Sequence, residues 1–174
     1  MTTKQLPPPE LLRQLLRYEP ETGELFWKQR ENPENNNALN TWNKRWAGSL
    51  ALAYVDPSSG YKVGRLSGSR VYSHRIIAAM VWGYYPEEVD HINGDRIDNR
   101  LLNLRPCSRS QNCKNLKIPS DNSSGHIGVG MKDKKWRARI FDVHLGTFEN
   151  IDDAIAVRKE AEAKYGFHPN HGKR

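Results

Sequence analysis

At 174 residues, 37% of them hydrophobic, and with a mean hydropathy of −0.81, the chain has material for one medium domain or two small ones around modest cores. It contains no apolar run near the ~20 residues a membrane span needs, and its opening MTTKQLPPPE lacks the apolar stretch of a secretory signal. The expectation is a soluble, cytoplasmic protein with no membrane partner. Two cysteines, Cys107 and Cys113, exclude a disulfide framework and a four-cysteine zinc site. The formal net charge of +7 is concentrated in the middle: residues 61–118 carry ten basic groups against five acidic, whereas 1–60 balance at seven each. Such a surface attracts polyanions by releasing their counterions.

In chain order, Leu11, Leu12, Leu15 and Leu16 follow a proline entry at the spacing of one helical stripe. Pro20 and Gly23 then predict a tight turn into a short strand, Leu25 to Lys28. QRENPENNNALNTWNKRW is rich in Asn and poor in apolar residues, which predicts a long loop, with Lys44 and Arg45 beside two tryptophans open to a nucleic-acid contact. YKVGRL and RVYSH read as strands joined by Ser67-Gly68-Ser69, a hairpin signal. HRIIAAMVWGYY reads as a helix whose buried side is Ile76, Ile77, Met80 and Val81.

The next thirty residues concentrate polar groups at element junctions. Val89-Asp90-His91-Ile92 is a strand end entering a Gly-Asp turn, and a second extended piece ends at Asn103-Leu104-Arg105. Ser108 and Gln111 form a capping box that opens a helix over 109–116. Neighbouring residues on a pleated strand face opposite ways, so Asp90 and His91 can serve one site only at a bulge or at the strand's end. Asp95 and Asp98 are expected as turn formers, and His74 as a satisfied histidine at a helix start.

Residues 60–118 resemble the HNH endonucleases of the homing type found in phages and mobile elements. The strings that carry the resemblance are SHR at 73–75, VDHINGD at 89–95, DNRLLNLR at 98–105 and SQN at 110–112. The resemblance implies a ββα-metal (His-Me finger) core, a two-stranded hairpin crossed by a helix with one divalent ion between them. It implies Asp90 as metal ligand, His91 as general base, Asn103 as the tie of the hairpin loop, and Asn112 as the helix residue that completes the metal site. Those residue types suit the reaction. Carboxylate and amide oxygens are hard ligands for Mg²⁺, with Mn²⁺ or another divalent cation as substitute. With a pKa of about 6.5, histidine is roughly three quarters neutral at pH 7 and can take a proton from water. His74 and Arg75 are secondary candidates for a phosphate contact. The paired-cysteine zinc of some HNH proteins has no counterpart here.

A polar, turn-rich stretch at 119–124 reads as a linker. Beyond it, HIGVGMK, KWRARIF and VHLGTF are strand candidates, and IDDAIAVRKEAEAKYG a helix with Asn150 as N-cap and Ile151, Ala154, Ile155, Ala161 and Tyr165 available for packing. In the second strand Trp136, Ala138 and Ile140 alternate with Lys135, Arg137 and Arg139, an apolar face against a cationic one. Residues 125–168 resemble the Apetala-type DNA-binding domain of plant ethylene-response factors, on GV at 128–129, KW at 135–136, LGTF at 145–148 and the helix end AEAKYG. The resemblance implies that Lys132, Lys135, Arg137 and Arg139 contact DNA, although the family's arginine-rich first strand is replaced here by Ile127 and Gly130.

The whole reads as an α+β protein: an N-terminal element (1–59), an HNH core (60–118), the linker, a small three-stranded antiparallel sheet with a helix (125–168), and a basic tail (169–174). The expected activity is metal-dependent hydrolysis of phosphodiester bonds in double-stranded DNA. The expected oligomeric state is a monomer or a DNA-induced dimer, with no obligate protein partner. Two alternatives stay open, a DNA-binding protein with an inactive centre and a nuclease acting on RNA.

Overall fold

A computed structural model of the chain describes residues 6–173. The opening five residues, part of the segment read as lacking a secretory signal, and Arg174 of the basic tail lie outside them. The described chain is a mixture of helices and small antiparallel sheets, divided into two compact units, 1–109 and 110–174. The stretch read as a linker, 119–124, falls inside the second unit. Among the described residues no helix is long and apolar enough to cross a membrane.

In the first unit, helix α1 (Pro9–Leu15) begins at a proline, whose missing N–H costs nothing in a first turn. It stops earlier than the leucine stripe predicts. Leu16 has extended backbone and opens strand β1 (Leu16–Glu19), which pairs with β2 (Glu24–Trp27) through a turn closed by Gly23. Leu12 and Leu16 are both buried, so the stripe marked a core edge, with its last member on a strand.

The Asn-rich stretch is not a loop throughout. Helix α2 spans Asn37–Trp46, and the Asn36 side chain caps it by accepting from the N–H groups of Ala38 and Leu39. Asn32 in turn accepts from the Asn36 N–H and donates to Asn40, so the asparagines satisfy one another. The residue type that suggested a loop supplies the helix cap.

Short strands β3 (Leu50–Ala51) and β4 (Tyr54–Val55) follow, then β5 (Lys62–Leu66) and β6 (Ser69–Tyr72). The β5–β6 loop is Ser67-Gly68, both at positive φ, the geometry that suits the twist of a two-residue hairpin. Helix α3 (Ser73–Trp82) buries Ile76, Ile77, Ala79 and Met80 and ends on Gly83 in the left-handed conformation. Val81, expected on the buried side, is exposed, and Ala78 takes that place. Burying Ile76 and Ile77 fully is worth about 1.5–3 kcal/mol each. This helix is the floor of the core on which β7 (Glu88–His91) and β8 (Leu104–Cys107) sit as an antiparallel pair. A single 3-10 turn, Leu101–Asn103, precedes β8, so Asn103 leads into an extended piece instead of ending one.

The second unit opens in helix α4 (Arg109–Cys113), shorter than the expected 109–116. Strands β9 (Val129–Lys132), β10 (Lys135–Ile140) and β11 (Val143–Phe148) form an antiparallel sheet in the order β11-β10-β9. Helix α5 (Ile151–Lys164), capped by the Asn150 side chain, packs on it through Ala154, Ile151 and Ile155. Tyr165 lies outside that core, largely exposed and edge-on to Phe141.

Candidate active site

Strand β7 runs in regular register to His91 and stops there, which is the strand end the adjacent pair required. The chain turns at once: Gly94 N–H donates to the His91 carbonyl (2.8 Å), and Ile92 N–H to the Asn103 carbonyl (2.9 Å). The Asn103 amide spans the loop, accepting from Asn93 N–H at 2.9 Å and donating to the Asp98 carbonyl at 2.7 Å. Asp98 accepts from Arg100 and Asn93. The Arg100 hydrogen bond, more than any other contact, holds its carboxyl down at about 2. Asp95 accepts from Ile97 N–H in the manner of a turn former.

Asp90 is buried, and its Oδ2 accepts from Arg105 Nε (3.0 Å) and Nη2 (2.7 Å). Arg105 is its direct cross-strand partner, so sheet register delivers the guanidinium. His91 is 4% exposed, and its Nε2 lies 2.9 Å from Asn99 Oδ1. Its ring is 5.1 Å from that of His74 and 5.8 Å from that of Tyr61. Burial lowers the His91 pKa, against the upward pull of the Asn99 hydrogen bond and Asp90, so the imidazole is neutral at pH 7.

His74, at the start of α3, is buried between Tyr61 and His91. Desolvation, then the neighbouring His91 and Arg75, push its pKa down to about 3. Arg75 donates to the carbonyls of Pro86 and Glu87 and so fastens the segment leading into β7. On the outer side Arg96 stacks over Tyr61 at 5.0 Å and donates to the Ser59 carbonyl. The arrangement places a neutral, oriented imidazole beside a buried carboxylate under a basic rim, which suits proton abstraction near an anionic substrate.

The remaining expected residues lie in the second unit. Asn112 is in α4, where its carbonyl accepts from Asn115 N–H at 3.0 Å. Lys132, Lys135 and Arg137 line one shallow cleft with His144 and Thr147, and Lys135 pairs with Glu149 at 2.6 Å. Arg139 is not with them. The ladder shifts register between Ala138 and Arg139, and Arg139 lines a different cleft with Phe141 and Arg158. Strand β10 nevertheless keeps its own alternation, with Ala138 and Ile140 buried and Arg139 exposed between them. Among the described residues no group of three or more His, Cys, Asp or Glu side chains could hold a metal ion.

Sequence reasoning passed over Asn99, Arg105 and Tyr61. Asn99 and Arg105 both lie inside the string DNRLLNLR, and pairing β7 with β8 would have set Arg105 opposite Asp90. Tyr61 carried no signal of its own, since its contact depends on how β5 meets α3.

A model of the HNH endonuclease family matches residues 71–114, roughly a quarter of the chain, from β6 through the Asp90–His91 strand end to α4. At the level of that family the similarity supports a nuclease with a nucleic-acid substrate. No curated protein and no solved structure matches the chain.

Proposed function

We propose that the protein is a metal-dependent endonuclease that hydrolyses phosphodiester bonds in duplex DNA. The observation that carries this reading is the Asp90–His91 pair, buried together at a strand end within the stretch that resembles HNH endonucleases. His91 takes the proton of the attacking water. Asn103 keeps the loop closed behind it.

Asp90 and Asn112 are the residues that would hold the divalent ion. Their carboxylate and amide oxygens are hard donors of the kind a divalent ion of this class takes. When bound, the ion neutralises charge on the phosphate and on the departing oxygen. Arg105 holds the Asp90 carboxylate in place through two hydrogen bonds. His74 walls the imidazole from water, and Arg96 adds positive charge beside Tyr61.

The second unit is proposed to dock on DNA in the Apetala manner through the face bearing Lys132, Lys135 and Arg137. Arg139, exposed on the same strand, is proposed as a further contact. A homing-type role follows from the same resemblance.

The test is cleavage of supercoiled plasmid in Mg²⁺, scored for nicked and linear product. His91→Ala and Asp90→Ala are expected to lower the rate by at least about a hundredfold, with duplex binding retained. Binding without cleavage by the unaltered protein would instead mean a DNA-binding protein with a silent centre. Preferential cleavage of RNA would replace the substrate.

A further inference from the structure

Asn99 is among the most completely buried polar side chains of the described residues, at 1% exposure. Its Oδ1 meets His91 Nε2 at 2.9 Å, while its Nδ2 is buried with no hydrogen-bond partner. Leaving an amide donor unpaired in the interior costs roughly 1–3 kcal/mol. A position that tolerates this cost has a use for the oxygen. An amide oxygen can only accept, so the geometry puts the imidazole proton on Nε2 and the basic lone pair on Nδ1.

The backbone of the same residue is gripped from a distant part of the chain. Tyr18 Oη, on β1, donates to the Asn99 carbonyl at 2.8 Å, and Leu101 N–H donates to the Pro20 carbonyl at 3.2 Å. Gly23, at φ +75°, sits so close that a Cβ there would lie 2.5 Å from Asn99 C and Arg100 N. No side chain fits that gap. The β1–β2 turn is therefore pressed directly on the peptide that carries Asn99. Asn103 secures the neighbouring Asp98 carbonyl from the other side.

We propose that Asn99 is the positioning residue for His91, fixing its tautomer and ring orientation, and that the N-terminal β1–β2 hairpin is the brace that holds Asn99. The catalytic consequence rests on the nuclease reading above; the tautomer does not. Neither residue of the hairpin contact touches substrate in this scheme. They act through Asn99, and Asn99 acts through His91.

The experiment joins ¹⁵N NMR of the histidine side chains, with His91 assigned by its absence in His91→Gln, to cleavage kinetics on the full chain. In the unaltered protein His91 is expected as the Nε2–H tautomer. In Asn99→Ala that signature should give way to a tautomer mixture, with kcat lowered ten- to a hundredfold and DNA affinity unchanged. Asn99→Asp, which keeps the acceptor, should restore the Nε2–H form and most of the lost rate. Tyr18→Phe removes one hydroxyl and leaves the ring, so it keeps a readout if Asn99→Ala does not fold; a few-fold fall in kcat with a partial tautomer shift is expected. An Nδ1–H tautomer in the unaltered protein, or an Nε2–H tautomer and rate unmoved by Asn99→Ala, overturns the proposal. A protein that cuts nothing yet loses its Nε2–H signature in Asn99→Ala upholds the positioning and removes only the nuclease reading.

Discussion

His74 shows what a buried titratable side chain costs. Its folded pKa of about 3 lies well below the ordinary value near 6.5. A histidine with a depressed pKa takes up a proton in the unfolded chain first, so acidification favours unfolding. His91 is shifted in the same direction. Stability is therefore expected to be fully present above about pH 6.5 and to fall as the pH drops below it, by up to about 1.4 kcal/mol per pH unit for His74, with His91 acting in the same direction. The depressed carboxyls of Asp56 and Asp98, at about 2, act only further down. Urea unfolding at pH 7 and pH 5 checks this, and His74→Gln should flatten the difference; an unchanged slope in that variant would assign the pH dependence elsewhere.

Helix α2 has thin support, since none of its residues is buried. It depends on its cap and on the ring of Trp42, which meets Trp27 edge-on at 5.7 Å and lies under Arg30 at 3.6 Å. Asn36→Ala removes the acceptor for two N–H groups and should cost about 1 kcal/mol, read as increased proteolysis within 37–46. The same element marks a boundary of sequence reading. Asparagine signals both loop and cap, and only the position of Asn36 relative to Ala38 and Leu39 tells them apart. Where a local code exists, the reading is close: Ser67-Gly68 gives the hairpin and Asn150 opens α5, whereas the helix read through Tyr85 stops at Gly83. Asp90 and His91 were singled out by the resemblance of the strings around them to HNH endonucleases. Asn99 and Tyr18 were not, because a hydrogen bond across 81 positions leaves no local pattern. The alternation read along 135–140 holds in burial, although the ladder to β11 carries one irregularity beside Arg139.

For the molecule as a whole, the charge asymmetry and the two units frame the expected behaviour on DNA. Arg137→Ala should weaken binding on all sequences and reduce the salt slope of log Kd by about one, measured by fluorescence anisotropy between 50 and 200 mM salt. Arg139→Ala should act in the same direction, since Arg139 lies two residues on from Arg137 and alternates with the buried Ala138 and Ile140. No effect from either would mean that the sheet meets DNA on another face. The reach from Tyr18 to Asn99 also bears on when the chain becomes competent. Loop closure over so many residues is entropically costly and comes late, after local turns and helices have formed. A nascent or partly unfolded chain already carries its aspartate and histidine, yet lacks the wall that aims the imidazole. On the nuclease reading, cutting power is then expected to arrive only with complete tertiary structure.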